Sequence, residues 1–481
     1  MEGTSFAYTR TASRYRETGL ALTVGRRSSS VKPEIVFACV ALPIGVLLVG
    51  LTPPFEVPDE PNHFYRAYQL SEGGVVPERL SDSVGGMLPR SLQQVADAVI
   101  GSVPFNPDEK QNLEAWRLAF DVPLRPEDRA ETPFPNTALS GPTAYAPQAL
   151  GIALGRLSGA SALALSYWGR VFNLVICVAL TTLAIRLLPI RRWTCVLLGL
   201  LPLTLFVRSS LSSDGPTMAL AMIALAICLR PTALGSDRAD EQLPWSLVAT
   251  TALMALGKPP YGAVSFLALA TPPRLLGGMR RYLLATAAVG AAFVIPQLAW
   301  LLALRGKAAT AIAGADPSAQ LTYLGDHPID AAVFLIGDLV GSAPVLARQA
   351  VGILGWLDAA VPIGAVVFLG STVVLVAMSE PGLPSSCFRF RWLAILVFCA
   401  GSLALHTMNY IWWTPPALDR VDGIQGRHLL PFVPFLLVSL TAPWWIARPL
   451  SRFRPVLIIA FVVVSATATA LTIVRRYYLD I

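Results

Sequence analysis

The feature that most constrains this chain is the recurrence of apolar runs about 20 residues long, joined by short arginine-bearing links. A helix needs roughly 20 apolar residues to cross a ~30 Å hydrocarbon core. Lipid offers the backbone no partners, so such a run must satisfy its own hydrogen bonds as a helix. Runs of this kind occupy residues 34–52, 166–188, 192–208, 214–230, 281–304, 359–378, 391–409, 429–447 and 455–474. Composition agrees: 54% of the 481 residues are hydrophobic and 14% are charged, against roughly 25% charged in soluble domains. The expected fold class is an all-α integral membrane protein.

Two stretches need the positive-inside rule. Residues 244–273 are apolar but interrupted by Lys258-Pro259-Pro260-Tyr261. If they cross twice, the clusters Arg274/Arg280/Arg281, Arg389/Arg391 and Arg448/Arg452/Arg454 fall on the same inner side as Arg186/Arg191/Arg192. A single crossing scatters them. Residues 330–355, broken by Asp338, Pro344 and Arg348, are then a surface or re-entrant segment. The expectation is about 11 transmembrane helices in a multi-pass cell-membrane protein with a cytoplasmic N-terminus. Residues 1–33 form the cytoplasmic tail, 34–474 the membrane domain and 475–481 a short C-terminal end. A long first extracytoplasmic loop covers 53–160, with 14 acidic and 8 basic residues and helix-like pieces at 87–100 and 108–120. The second piece starts from Asn106-Pro107-Asp108-Glu109.

Several function classes fall away. The net charge is +7, but the arginines cluster between apolar runs as topology signals, so no nucleic-acid partner is expected. The six cysteines lie within or beside apolar segments and suit small core residues rather than disulfides or metal ligands. There is no phosphate-binding loop, GxGxxG, HExxH or GxSxG. The four histidines are dispersed, so neither a metal site nor a cofactor is expected. Charges are sparse within the spans, which argues against a transporter.

The richest string is residues 53–70, PPFEVPDEPNHFYRAYQL, directly after the first span. Asp59, His63 and Arg66 stand at i, i+4 and i+7 of a helix expected there and share a face. With Glu60, they make a set of candidate catalytic residues at a membrane interface. The plainer alternative is that Asp59 caps the helix and Arg66 pairs with it. Four more polar strings reach the same side: RSSLSSDG with Asp214, KPPY with Lys258 and Tyr261, GILGWLD with Trp356 and Asp358, and GIQGRH with Gln425, Arg427 and His428. Of these, Asp214, Lys258, Tyr261, Trp356, Asp358, Gln425 and Arg427 are the candidate substrate-binding residues. Taken singly, each also fits a belt anchor, a turn or a snorkelling cation.

PPFEVPDEPNHFYRAYQLSEG, the LGWLD turn and GIQGRHLLPFVP together resemble the bacterial membrane-protein family catalogued as domain of unknown function 2142, over roughly residues 34–474. His428 departs from the tyrosine expected after Gln-Gly-Arg. That family in turn resembles the C-type (GT-C) glycosyltransferases, multi-span enzymes with an acidic residue in the first outer loop. The resemblance implies a GT-C-like fold and transfer of a sugar from a polyprenyl-phosphate donor to a cell-envelope glycan or lipid acceptor at the outer face of the bilayer. It assigns Asp59 or Glu60 as base, Lys258 and Arg427 to the departing phosphate, and His63 and Arg66 to positioning. A lipid or polysaccharide transporter and a non-catalytic envelope-assembly protein remain as alternatives.

The orientation is directly testable. Cysteines placed at Ser83 and Asp422 should react with an impermeant thiol reagent added to intact cells, and one at Ser451 should not. Labelling of Ser451 with Ser83 silent would invert the topology.

Overall fold

The computed structural model describes residues 31–234, 243–307, 314–384, 387–416 and 418–480. The tail expected over 1–33 lies almost wholly outside the described residues. Helix α1 (Pro33–Leu51) begins on proline, carries Glu34 in its first turn and is followed by Pro53-Pro54. Proline at the start and an acid near the positive end both favour that boundary. Ile35, Leu42, Val46 and Leu47 are exposed on its surface, an apolar stripe suited to lipid.

Residues 53–160 fold into a layered cap. It contains α2 (Glu60–Ser71), an antiparallel sheet of β1 (Glu78–Arg79), β2 (Val84–Pro89) and β3 (Arg129–Pro133), and the helices α3 (Arg90–Ile100), α4 (Leu113–Ala119), α5 (Pro135–Ala138) and α6 (Ala146–Leu157). β2 pairs with β3 in a register that sets Gly85 opposite Pro133 and Leu88 opposite Ala130. The all-α expectation is therefore corrected by a small sheet. The helix expected from Asn106 starts later, where the Asn112 side chain accepts from the Glu114 and Ala115 amides at 3.1 and 3.0 Å. The intervening turns are held from a distance: Arg476 donates to the Val103, Asn106 and Glu109 carbonyls, and the Gln111 amide bonds the Tyr477 carbonyl.

The remaining chain is helical. α7 (Ala162–Leu187) precedes α8 (Arg192–Gly199) and α9 (Pro202–Arg208). The expected unbroken run over 192–208 is split where Pro202 cannot supply a helical donor. α10 (Asp214–Leu234) and α11 (Leu243–Gly257) follow, then a 3₁₀ helix over Pro259–Ala270. Its buried hydrophobic side chains are spaced by three: Tyr261, Val264, Leu267 and Ala270. That is the three-residue turn of a 3₁₀ helix, started by the Pro259-Pro260 pair. Beyond it come α12 (Met279–Ala303), α13 (Pro317–Asp326), α14 (Pro328–Gly352), the hairpin β4 (Ile353–Leu354) and β5 (Ala359–Ala360), α15 (Ile363–Ser379), α16 (Phe388–Trp413), α17 (Gly426–Leu429), α18 (Val433–Ser439) and α19 (Trp444–Tyr477). The expected boundary between the last two spans moves. The helix breaks at residues 440–443, and α19 then runs 34 residues through Pro449 and Pro455. The expected C-terminal end thus begins inside this helix.

Among the described residues, seven helices (α1, α7, α10, α12, α14, α16 and α19) are long and apolar enough to cross a membrane, and α11 and α15 are shorter apolar helices. Contacts define two ends of the bundle. At one, Arg192 pairs with Glu34 at 2.5 Å, and the Glu380 carboxylate accepts from the Trp193 and Thr194 amides. Arg191 bonds the Glu380 carbonyl and Arg454 the Ser379 carbonyl. The cap sits at the other end, where Tyr478 bonds the Leu51 carbonyl at 2.7 Å and Tyr477 the Glu56 carbonyl at 3.1 Å. Two bonds anchor α13 and α14 to this second end: Gln320 of α13 donates to the Thr414 carbonyl, and Gln349, near the close of α14, accepts from the Gly426 amide.

A fully buried ion pair ties the cap to the bundle. Arg170, on α7, meets Glu60 through two bonds of 2.8 and 2.5 Å, with both side chains 0% exposed. Arg170 also donates to the Val49, Thr52 and Pro53 carbonyls, while Glu60 accepts from the Phe55 and Leu211 amides. Glu60→Ala would leave Arg170 buried without its counter-charge, a cost of about 3–5 kcal/mol. The variant should show a large fall in thermal midpoint or in folded yield. A midpoint equal to wild type would mean that the pair is not what holds the cap.

Candidate functional site

A cavity of about 370 Å³ opens at the capped end of the bundle. Its polar side is lined by Asp59, His63, Asn136, Asp214, Lys258, Gln425, Arg427 and His428. Its apolar side is lined by Trp300, Leu301 and Leu304 at the close of α12, and by Leu405, Met408, Trp412 and Trp413 of α16. These two helices make almost no contact with each other. Leu301 lines the cavity while being 62% exposed, so the apolar side is not closed over.

Four charges meet at the polar side. Arg427 bonds an Asp59 oxygen through its terminal nitrogen at 2.8 Å and approaches Asp214 through Nε at 3.2 Å. Lys258 Nζ pairs with the other oxygen of Asp214. Two carboxylates and two cations give a formally neutral set. Each side chain comes from a different segment: the start of the cap, α10, the loop after α11, and α17. Asp59 Oδ1 accepts from Asn136 at 2.7 Å, and Asn136 accepts in turn from Asn62. Asn136 is delivered by α5, directly after β3. Burial alone would raise the Asp59 pKa, but the Arg427 guanidinium outweighs it and holds the carboxyl below its ordinary range. Asp59 is therefore ionised at neutral pH, with its side chain one-third exposed to the cavity.

The expected helical face needs correction. Asp59 lies just outside α2, in the left-handed region at φ 64°, and its side chain makes no cap bond. Asp59 and His63 both line the cavity, but the i, i+4, i+7 relation with Arg66 fails because Asp59 is not a helical residue. Arg66 turns away to Gln69 and to the Gly74 and Val75 carbonyls. It reaches the cavity only indirectly, stacked 5.7 Å from the Trp300 ring. His63 Nδ1 lies 2.7 Å from the Tyr145 hydroxyl. Burial pushes the imidazole pKa down to about 4, despite the pull of Asp59, so His63 is neutral at neutral pH.

Local geometry explains GIQGRH and KPPY. His428 Nδ1 accepts from the Gln425 amide, which closes the turn that carries Arg427. With Nδ1 accepting, the neutral ring has its proton on Nε2. A Cβ on Gly426 would stand 2.3 Å from backbone atoms of Leu346 and Ala350, so only glycine lets α17 press against α14. Tyr261 donates to the His428 carbonyl at 2.9 Å and stacks on Phe432 at 5.3 Å. It thus binds the Lys258 loop to the Arg427 turn.

Besides Arg66, three expected site residues stand elsewhere. Glu60 lies beneath the cavity in the Arg170 pair, fully buried and fully hydrogen-bonded. Trp356 donates to the Phe55 carbonyl and packs on Phe105. Asp358 pairs with Arg476 at 2.7 Å. These two brace the cap against α19. Sequence reasoning missed Asn136, Tyr145, Trp300 and Trp413. Asn136 and Tyr145 come from loop strings with no charged residue to mark them, whereas the tryptophans close two spans and are indistinguishable in sequence from interfacial anchors.

Glu56 lies beside the brace, 0% exposed, with neither carboxylate oxygen hydrogen-bonded. Burial drives its pKa up to about 9, against the pull of Arg476. An acid with a raised folded pKa contributes full stability below its unfolded value of 4.5 and loses it as pH rises through about 9. Glu56→Gln should therefore stabilise more at pH 8.5 than at pH 5, by on the order of 1–3 kcal/mol. Thermal midpoints of the two proteins at both pH values check this; a pH-independent difference would show that Glu56 is ionised in the fold.

No curated protein and no solved structure matches this chain. Residues 42–436, which include every side chain lining the cavity, match the family described as Predicted membrane protein (DUF2142). The chain belongs to that family.

Proposed function

We propose that the protein is a membrane glycosyltransferase that moves a sugar from a lipid-phosphate donor, of the polyprenyl-phosphate kind, to an envelope glycan or lipid acceptor. The observation that carries this reading is the two-sided cavity. A carboxylate–cation set faces an exposed apolar wall from α12 and α16, which suits an amphiphile with an anionic head and a long tail lying in the bilayer. The arginine clusters gather at the opposite end, which supports placing the cavity at the extracytoplasmic face. In this reading the chain passes eleven times between the two ends, through α1, α7, α8–α9, α10, α11, the 3₁₀ segment, α12, α15, α16, α18 and α19. α14 lies at the outer surface.

The chemistry follows from the four charges. An acceptor hydroxyl attacks the anomeric carbon, the bond from that carbon to the phosphate oxygen breaks, and its electron pair leaves on the phosphate. Asp59 receives the hydroxyl proton, since it is ionised, reachable from the cavity and fixed by Asn136 and Arg427. The donor phosphate is met by the Lys258 protons not used by Asp214, with the positive charge of Arg427 beside them at the cavity wall. Preorganised donors of this type stabilise the charge that develops on a leaving group. His63, being neutral, adds no competing charge beside the base.

Asp59→Asn keeps the side-chain shape and leaves Arg427 paired with Asp214, so folding should be retained. Transfer should fall about 100-fold or more with the base removed. Lipid-linked sugars and envelope glycans of a deletion strain, complemented with wild type or with Asp59→Asn, measure this. Full restoration by a folded Asp59→Asn protein would end the mechanism.

A further inference from the structure

A second cavity, of about 340 Å³, lies across α16 from the first. Its walls include Tyr323 and Gln320 of α13, Phe334 of α14, Tyr410 of α16, and Leu418 and Asp419 of the following segment. Tyr410 stands next in sequence to Asn409, which lines the first cavity. Successive helical residues point about 100° apart, so the last turns of α16 form a partition between the two.

The lining chemistry is selective. Tyr410 and Phe334 pack with ring centroids 5.6 Å apart, and Tyr323 presents an exposed ring at the rim. Gln320 is buried, with its amide nitrogen bound to the Thr414 carbonyl at 3.0 Å and its carbonyl oxygen left for a ligand. Asp419 adds exposed acceptor oxygens. Among the described residues, no lysine, arginine or histidine lines the cavity. A phosphate or carboxylate would meet only the like charge of Asp419. A hydrocarbon tail would strand the Gln320 oxygen and the tyrosine hydroxyls. A quaternary ammonium head would satisfy the rings and Asp419, but would leave the Gln320 acceptor unmatched.

We propose that this cavity binds an uncharged sugar chain. A pyranose presents one face of weakly positive C–H groups, which stack on the negative face of an aromatic ring, and a rim of hydroxyls that donate to carbonyl and carboxylate oxygens. The aromatic walls and the two kinds of acceptor match both sets. Its role as the acceptor glycan's anchor rests on the transferase reading; its ligand class rests on the lining alone.

Binding is read with no donor present, so it is independent of transfer. The full chain in lipid nanodiscs is titrated with maltotriose, chitotriose and mannotriose by saturation-transfer NMR, with choline chloride as a separate arm. At least one trisaccharide should bind, and Tyr323→Ala and Asp419→Asn, both at exposed positions, should each weaken it roughly three- to tenfold. Absence of binding by all three sugars overturns the proposal. So does sugar binding that neither variant changes, or binding of choline alone that is lost in Asp419→Asn. If transfer proves absent while sugar binding and its sensitivity to the variants persist, the transferase reading fails and this site stands.

Discussion

The structure depends on the Arg170–Glu60 pair more than on any other polar contact. A bidentate arginine–carboxylate bond in a fully buried setting is strong because each charge is matched and nearly every remaining donor and acceptor is used. Arg170 takes up the Val49 carbonyl, one of the carbonyls that α1 leaves unsatisfied at its end. Glu60 takes the Leu211 amide, from the segment that leads into α10. One pair therefore fixes three things: where the first span stops, how the cap starts, and how α10 meets both. The left-handed turn at Asp59 is held between this anchor below and Arg427 above. Such a backbone conformation persists only where its surroundings over-determine it.

Above that anchor the site is electrostatically balanced. Asp59, Asp214, Lys258 and Arg427 cancel in formal charge, which lets four ionised side chains sit in a partly desolvated cavity without a large penalty. The balance also shapes what can bind. An anionic ligand would not find a bare positive pocket; it would meet two cations already held by carboxylates. The cations are thus oriented before any ligand arrives, and under the proposed transfer little reorganisation is needed when charge develops on the leaving phosphate. Side chains of α12 and α16 supply the apolar half, Trp300 and Trp413 among them.

Much of this was legible in the chain. Asp59, His63, Asp214, Lys258, Tyr261, Gln425 and Arg427 were singled out as polar residues flanking spans, and the fold brings all seven to one cavity. The signal was economical: charged residues are costly in lipid, so those next to spans and outside the arginine clusters are few. Reasoning failed where one residue's conformation or partner lay far away in sequence. Ideal helical spacing grouped Arg66 with Asp59, but Asp59 precedes the helix. Trp356 and Asp358 resembled site residues because they share the same end of the bundle, and their partners, Phe55 and Arg476, are distant in the chain. The helix expected at Asn106 lost its first turn to carbonyl bonds from Arg476.

Sequence alone determined that the chain is helical and suited to lipid, because apolar length and the need for internal backbone hydrogen bonds leave few other solutions. It also marked the proline breaks, where a missing donor ends a helix whatever its surroundings. Only the tertiary structure decided which carboxylate is exposed to the cavity and which is buried as an anchor. Asp59 and Glu60 are adjacent and chemically alike, and no local rule separates them. Their roles diverge because Arg170 approaches one and Arg427 the other, from helices 110 and 368 residues away. Packing brings those arginines there, and the pairing they make is a property of the folded molecule rather than of either segment.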